Sequence, residues 1–381
     1  MNRALIPIYA ITFIDILGFT ILVPLLPYVA ERYGASTSVV GLLVSTVAIV
    51  AAVSSPMWGA LSDRIGRKTV LLASQVCTLA GYLLLAIPGS ILTVILSRVV
   101  AGLGGGNLGV AQSYVADVTD PHERDQAYAF QSAAFGAGFV VGPLLSGLLV
   151  HYGFAVPFYA AAALEVVILA LTIVALPHAT PRLRKPATAR DTLRAINTPA
   201  LRNLLTRQFL YIFGFTYLFT ILGLYVQRAL GMGAAQTSVF LGVAGAVGAA
   251  AQLGLVHRLA KRFGLAAVAQ IGLAIGALAY AALFAVSTAT GFVLFLIVWA
   301  AGGGLVSPAL AALLSETAPH DQRGLVLGFS DSLNNFALML APAIGASVIE
   351  FDLRATGVIP AVALFLAFGF GAVARRQSDA R

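Results

Sequence analysis

The segment Gly59-Ala-Leu-Ser-Asp-Arg-Ile-Gly-Arg-Lys68 is a short charged turn between two long apolar stretches, 38–61 and 69–88. Each stretch has about the 20 residues that a helix needs to cross a bilayer. Gly66 permits a tight turn, and the basic side chains of the segment suit the cytoplasmic side of a membrane. The segment therefore predicts two membrane-spanning helices joined by a charged cytoplasmic turn.

The same alternation of apolar stretches and short polar turns continues through the chain. Of its 381 residues, 59% are hydrophobic and only 10% are charged, against about 25% charged residues in a soluble domain. This composition excludes a soluble enzyme, a disordered protein and a disulfide-stabilised secreted domain. We predict an all-α membrane protein with twelve transmembrane helices in two six-helix bundles. The predicted spans are 5–28, 38–61, 69–88, 91–116, 126–150, 155–176, 203–227, 236–257, 265–286, 290–315, 324–349 and 355–374.

The distribution of basic residues predicts the orientation of these spans. With both termini in the cytoplasm, nineteen Lys and Arg residues fall on the inner side, whereas Arg32, Arg228 and Arg354 fall in outer loops. This bias agrees with the positive-inside rule and predicts a multi-pass protein of the inner (plasma) membrane. It also accounts for the net charge of +8 without a nucleic-acid partner.

The two halves of the chain resemble each other at an offset of 198–199 residues. Gly142-Pro143 in span 5, for example, corresponds to Ala341-Pro342 in span 11. We predict an N-terminal six-helix bundle over 1–178, a cytoplasmic linker over 179–201 and a C-terminal six-helix bundle over 202–381. Two such halves are the organisation of many secondary transporters, in which the substrate site lies between the halves.

The loop from Gly59 to Lys68 resembles the signature loop of the major facilitator superfamily, and the resemblance covers the whole chain in helix number, halves and loop motifs. It implies that Asp63 faces the positive N-terminus of span 11 and that Arg67 pairs with Asp117. These contacts would hold the cytoplasmic side shut. The alternative is that the basic residues only obey the positive-inside rule. The predicted gating residues of this region are Gly59, Asp63, Arg64, Gly66, Arg67 and Asp117.

Two further segments resemble motifs of the same superfamily. Arg98, followed by glycines in span 4, resembles its intramembrane arginine motif. A buried Arg must face a cavity or an acid, whereas the alternative is an arginine that extends to the outer interface. Gly138, Gly142 and Pro143 in span 5 resemble the motif of proton-coupled exporters, and we predict that they gate through a close, bendable helix contact. Ordinary packing of small residues is the alternative.

Asp15 lies in the middle of span 1. The segment from Ile14 to Pro27 is similar to the first helix of the drug:proton antiporter branch, and most closely to that of tetracycline-resistance pumps. An ionised carboxylate at that depth is costly, so Asp15 can take up and release a proton. We therefore predict that Asp15 couples transport to protons. The alternative is a structural Asp that stays protonated or hydrogen-bonded.

Other polar side chains inside the spans are predicted to line a substrate cavity. Asp331, Asn334 and Asn335 share one face of span 11, although hydrogen bonding within the bundle is an equal alternative. Aromatic residues of span 7, such as Tyr217, suit a flat hydrophobic substrate. Glu165 in span 6 is less suited, because that helix is peripheral in the resembled fold. The predicted cavity residues are Arg98, Asn107, Gln112, Gln131, Tyr217, Gln252, Asp331, Asn334 and Asn335.

The sequence differs from tetracycline pumps in two spans. Those pumps carry a His inside span 8 and an acid inside span 9, and neither is present within these spans here, where His257 lies at the end of span 8. The identity of the substrate is therefore left open.

These residues predict a secondary active transporter that exports a small amphipathic compound or drug in exchange for protons by alternating access. The main alternative is a proton-coupled importer or a facilitator of a sugar or other metabolite, and a sensor or lipid flippase of the same fold is a further one. A membrane enzyme would need clustered catalytic groups, and the five His residues form no cluster in the sequence. We expect no cofactor and no metal, because the predicted transporter implies neither. The single cysteine, Cys77, excludes an intramolecular disulfide and a Cys-based metal cage. The expected partners are a small-molecule substrate, protons and the lipid bilayer, with the chain as a monomer.

Overall fold

The computed structural model describes residues 5–87, 89–105, 107–119, 123–177, 194–319 and 322–379. This part of the chain is almost entirely helical and contains no strand. The helices of the first half are α1 (Ile6–Leu22), α2 (Leu26–Arg32), α3 (Thr37–Ile65), α4 (Arg67–Ala86), α5 (Ile91–Leu103), α6 (Asn107–Val118), α7 (Arg124–Leu149) and α8 (Val156–Ala175). Those of the second half are α9 (Pro199–Leu230), α10 (Ala234–Gly254), α11 (Val256–Phe263), α12 (Leu265–Ala282), α13 (Ala289–Thr317), α14 (Arg323–Phe351) and α15 (Val358–Asp379).

Most of these helices are long and apolar enough to cross a membrane. Within the described ranges, ten helices have the length and hydropathy of a span, and α1 with α2 forms an eleventh that bends by 41°. The shorter apolar helix α5 and the helix α6 together occupy the fourth predicted span. The predicted twelve-span, all-α architecture is confirmed.

The structure divides two of the predicted spans into two helices each. Span 1 is interrupted around Pro24, because proline lacks the N–H that the helix needs and its ring clashes with the preceding turn. In span 4, α5 ends at Leu103, and Gly104 and Gly105 follow in a turn. Glycine has a low helix propensity because its backbone loses the most entropy on ordering.

Large apolar side chains cover much of the outer surface. Val53, Val174 and Leu253 are 68%, 85% and 84% exposed. A soluble protein rarely exposes such surface, whereas lipid tails contact it at no cost. The exposed apolar surface therefore agrees with a multi-pass membrane protein.

Contacts between helices group the chain into two units. The first unit comprises the chain up to Arg184 together with Gly233–Gly242, and the second comprises Lys185–Met232 and Val243–Arg381. The units follow the predicted halves except at Gly233–Gly242, where α10 begins. The predicted domain boundaries stay a prediction, because residues 178–193 of the linker region lie outside the described part of the chain.

In the first unit, α1 lies against both α7 and α8. Ile8 and Ile11 of α1 pack in one apolar cluster with Tyr114 of α6 and Ile168 of α8, and all four side chains are almost inaccessible. This packing places the middle of α1, where Asp15 lies, in the interior of the unit.

In the second unit, α9 is buried along most of its length and packs against α14 and α15. Small residues bring α12 and α13 together. A Cβ atom at Gly272 would lie only 2.7 Å from the carbonyl oxygen of Gly302. Helices in membranes typically approach each other closely at small residues. Lipid tails are as apolar as the helix surfaces, so the hydrophobic effect contributes little to helix association there and close packing contributes more.

Candidate functional site

A polar cluster in the first unit surrounds Asp15, the tenth residue of the 17-residue helix α1. Asn107 of α6 donates from Nδ2 to Asp15 Oδ1 at 3.2 Å. Ser74 of α4 donates in turn to Asn107 Oδ1, so hydrogen bonds connect three helices. Within the described residues Asp15 has no ion-pair partner. A carboxyl group with an amide donor and no paired cation can exist in both protonation states.

Arg98 of α5 lies in the same unit and is only 3% exposed. Its Nε donates to Ser97 Oγ at 3.2 Å, and its Nη2 has no hydrogen-bond partner. The guanidinium is thus a buried cation, enclosed by protein, and no carboxylate of the described residues lies within ion-pair distance of it. Such a group is costly to bury unless nearby negative charge compensates it.

Glu165 of α8 is a second acid in this interior, and sequence reasoning set it aside. One face of α8 exposes apolar side chains such as Val166 and Val174, and its other face, which carries Glu165, packs against α1 and α4. The side chain is 1% exposed, and neither carboxyl oxygen has a hydrogen-bond partner. Its charge interacts with that of Asp15. The signal that could have identified it is its position in the middle of an apolar span, where acids are rare and functional.

The charged loop after α3 forms a compact ion-pair network within the first unit. Gly66 has φ 95°, a conformation that favours glycine, and it separates α3 from α4. The expected pair is present: Arg67 Nε lies 2.9 Å from Asp117 Oδ2, and both side chains are 8% exposed. Arg67 Nη1 also lies 2.7 Å from Asp63 Oδ1, whose side chain is 52% exposed.

The remaining predicted gating residues of this loop, Arg64 and Gly59, make fewer contacts with the rest of the unit. Arg64 is exposed, and a Cβ atom at Gly59 would meet nothing within 4 Å. The predicted contact of Asp63 with span 11 would join the two units, and it stays a prediction.

The predicted exporter motif on α7 lies directly against α1. A Cβ atom at Gly138 would lie 2.9 Å from the carbonyl oxygen of Phe13, and one at Gly142 would overlap Thr20 Oγ1. Thr20 Oγ1 donates to the carbonyl oxygen of Gly138 at 3.0 Å. Pro143 is buried beside them. The two helices therefore touch backbone to backbone, which any side chain at these glycines would prevent.

The other predicted cavity residues are spread over both units. In the first unit, Gln131 Nε2 donates to Thr12 Oγ1 at 3.4 Å, and Gln112 is partly buried. In the second unit, Gln208 Nε2 donates to Asn334 Oδ1 at 3.5 Å. The remaining members differ in exposure: Asp331, Asn335 and Gln252 are exposed, and Tyr217 is fully buried.

Hydrogen bonds thus join Asp15, Asn107 and Ser74, and Arg98 and Glu165 are buried in the same unit. Tyr217 and Gln252 belong to the second unit. In the described part of the chain, no group of three or more His, Cys, Asp or Glu side chains could hold a metal ion.

A family model described as the Major Facilitator Superfamily matches residues 8–257 and 255–381. The chain belongs to the major facilitator superfamily. The resemblance of the charged loop to the signature loop of that superfamily is therefore confirmed, and it assigns the chain as a transporter of small molecules rather than an enzyme.

Individual members of the superfamily match along nearly the whole transporter. The tetracycline resistance protein, class C, of Escherichia coli is 30% identical over 361 residues, which cover 91% of this chain and 90% of that protein. Multidrug resistance protein 1 of Bacillus subtilis is 25% identical over 349 residues, 90% of this chain and 88% of that one. The crystal structure of the human organic anion transporter MFSD10 superposes with a TM-score of 0.75 at 22% identity, covering 97% and 99% of the two chains.

Proposed function

We propose that this major facilitator transporter is a proton-coupled antiporter that exports a small amphipathic compound or drug from the cytoplasm by alternating access. The observation that carries the proposal is the position of Asp15. It is an acid in the middle of an apolar helix, held by the amide of Asn107 and without a paired cation. Acids in such positions mark ion and substrate pathways.

Proton coupling requires that a proton interact differently with two states of the transporter. An ionised Asp15 is stabilised by the amide donor of Asn107, whereas a protonated Asp15 does not need that donor. Binding one proton therefore changes the net charge of this interior by one unit. A change of that size in a medium of low dielectric constant is enough to shift a conformational equilibrium.

The direction and the substrate class come from the relatives. Proteins named for tetracycline and multidrug resistance match the transporter over about nine tenths of its length. Removal of the compound from the cytoplasm is the simplest role for such proteins. The aromatic interior of the second unit suits an amphipathic substrate, with Phe215 and Trp299 stacked at 5.2 Å between ring centroids.

The basic residues support the location of the transporter in the plasma membrane with both termini in the cytoplasm, since nineteen inner Lys and Arg residues face three outer ones. We expect a monomer that needs no cofactor or metal.

The proposal is tested by efflux from cells that lack their own drug pumps. Cells expressing the transporter are loaded with each member of a panel of amphipathic cations, anions and tetracyclines, and the loss of each compound is followed with and without a protonophore. We expect faster efflux of at least one compound, and the protonophore should abolish the difference.

Two results would contradict the proposal. Efflux that persists after the proton gradient collapses would remove proton coupling. Accumulation of a compound inside the cells, driven by the proton gradient, would favour the importer instead.

A further inference from the structure

Glu165 is a buried acid that the proposed mechanism does not use. It is the tenth of the twenty residues of α8 and is 1% exposed, and neither of its oxygens has a hydrogen-bond partner among the residues that the structure describes. Burying a carboxylate without hydrogen bonds costs far more than any packing gain from the side chain. Glu165 must therefore carry a proton, or a nearby positive charge must compensate it.

The packing of α1 on α8 places Glu165 at the depth of Asp15. A Cβ atom at Gly18 of α1 would lie 3.9 Å from the carbonyl oxygen of Ala161 in α8, so these two residues are level. Consecutive spans alternate in direction, so α1 and α8, in the first and sixth spans, run antiparallel. Asp15 precedes Gly18 by three residues, which places it ~4.5 Å closer to the cytoplasm than Gly18. Glu165 follows Ala161 by four residues on the antiparallel helix, which places it ~6 Å closer to the cytoplasm than Ala161. The two acids therefore lie at nearly the same depth.

Tyr82 of α4 lies between the acids and the buried cation. A Cβ atom at Gly18 would lie 3.5 Å from the ring of Tyr82, so the ring rests on α1 one turn from Asp15. The hydroxyl group of Tyr82 interacts electrostatically with Glu165, Asp15 and Arg98. Asp15 of α1 and Tyr82 of α4 are therefore the titratable groups beside Glu165, and Arg98 of α5 interacts with Tyr82.

The charges of this interior balance only when the two acids carry one proton between them. Arg98 supplies one positive charge, and two ionised carboxylates would exceed it by one in an environment of low dielectric constant. Two protonated carboxyls would leave the buried guanidinium without a counter-ion. One proton on the pair gives a neutral interior.

We infer that Glu165 is a second proton-binding carboxyl of the transporter and shares one exchangeable proton with Asp15, with Arg98 as the counter-ion of the ionised member. The inference rests on the proposed proton coupling and deepens it. In a cycle, the shared proton leaves the pair to water on the cytoplasmic side. A proton from outside water then forms an O–H bond with one of the two carboxylates, which restores the neutral interior.

The first test measures proton binding directly and needs no substrate. The infrared absorption of protonated carboxyl groups is recorded across a pH series in H₂O and D₂O for purified wild type, Asp15→Asn, Glu165→Gln and the double variant. We expect the wild type to show a carboxyl band with a pH dependence that belongs to this pair, a changed midpoint of that band in each single variant, and loss of that band alone in the double variant, in which the bands of the other acids remain. Two sites that share a proton titrate as a pair, so removing either one alters the other.

Matched variants control for damage to the fold. Glu350→Gln makes the same change at an exposed position of α14, and it should leave the band unchanged. Glu165→Asp keeps a titratable carboxyl and should restore a coupled titration. A Glu165→Gln variant that folds and titrates with the amplitude and midpoint of the wild type would overturn the inference, because Glu165 would then be a permanently protonated packing residue.

The second test separates this inference from the proposed function. In proteoliposomes with a transported compound from the efflux panel, Glu165→Gln should lower transport driven by a pH gradient about tenfold, within the range of coupling between two interacting sites. Exchange of the compound across the membrane without a gradient should stay near the wild-type rate. If gradient-driven transport in this variant equals that of the wild type, the inference fails while the proposed function stands. If the wild type itself ignores the gradient, the proposed function fails, and the infrared titration still decides whether Glu165 and Asp15 share a proton.

Discussion

The interiors of the two units differ in chemistry although the two halves of the sequence are related. The first unit encloses Asp15, Arg98 and Glu165 with amide and hydroxyl groups around them. The second unit encloses stacked aromatic rings, among them Trp299 and Phe215. Trp299 Nε1 donates to the Tyr280 hydroxyl at 2.8 Å. The second unit buries a cation as well, Arg207, which is 4% exposed. Among the described residues the two copies therefore differ chiefly in the acids of the first unit and in the aromatic stack of the second.

The charged loops of the two halves differ in the same way. In the first unit Arg67 is buried and paired with two acids. The corresponding turn of the second unit has Lys261 where the first has Asp63, and Lys261 is exposed. The ion-pair network and the buried acid Glu165 thus belong to the first unit, and the proposed proton coupling at Asp15 assigns that role to the same unit.

The largest expected effect on stability is at the ion pair between Arg67 and Asp117. Asp117→Ala leaves the exposed Asp63 as the carboxylate paired with Arg67, whose Nη1 also donates to Ser62, and breaking a buried pair costs about 3 kcal/mol. Lys261→Ala, in the equivalent turn of the second unit, should cost less than about 0.5 kcal/mol because Lys261 is exposed. Thermal unfolding of both variants in detergent measures the difference. Equal melting temperatures for the two variants would show that the ion pair between Arg67 and Asp117 stabilises the protein no more than the exposed Lys261 does.

Arg98→Ala should reduce gradient-driven transport by about 100-fold, the lower end of what a positioned group in proton transfer contributes. The alanine removes the counter-ion of the acid pair. Arg98→Lys keeps a cation and should retain more activity, although lysine cannot reproduce the planar fork of guanidinium. Transport by both variants in proteoliposomes, beside their yields as folded protein, is the measurement. Normal transport by Arg98→Ala would show that the arginine serves only packing.

Gly142→Ala should destabilise the first unit by about 1–3 kcal/mol, because the added methyl group overlaps Thr20 Oγ1 where α7 meets α1. Gly136 lies on the same helix, and a Cβ atom there would meet nothing within 4 Å. Gly136→Ala is therefore the matched control and should be neutral or slightly stabilising. If the two alanine variants melt at the same temperature, the close contact between α1 and α7 is not a determinant of stability.

The smallest expected effect is in the second unit. Trp299→Phe keeps an aromatic ring over Phe215 but removes the indole N–H that donates to Tyr280. The loss should be about 1 kcal/mol of stability, and the pH dependence of transport should not change. A shifted pH profile in Trp299→Phe would mean that the aromatic interior also takes part in proton coupling, against the division of roles between the units.

The sequence predicts a large part of this structure for physical reasons. The thickness of the bilayer determines how many apolar residues each spanning helix needs, and the alternation of charged and apolar segments predicts the number of helices. The pairing of Arg67 with Asp117 follows from the resemblance of the loop. Asp15 could be selected because an acid in the middle of a span is rare enough to be informative.

Other features could not be predicted from one sequence. Apolar residues cover both the lipid-facing and the buried faces of a membrane helix, so hydropathy does not say which face Glu165 occupies. Burial of Glu165 depends on the packing of α8 against α1 and α4, which the pattern does not encode. The predicted cavity positions of Gln252 and Asn335, both exposed, stay predictions.

The most direct test of proton coupling at Asp15 is transport by purified protein in proteoliposomes under an imposed pH gradient, with wild type, Asp15→Asn and the control Asp352→Asn compared. Asp352 is exposed and accepts a hydrogen bond from the Arg354 amide, which asparagine can also accept. The account predicts that wild type and Asp352→Asn move the compound against its gradient and that reversing the pH gradient reverses the direction. Asp15→Asn should bind and exchange the compound but lose the response to pH. Gradient-driven transport by Asp15→Asn at the wild-type rate would contradict the account.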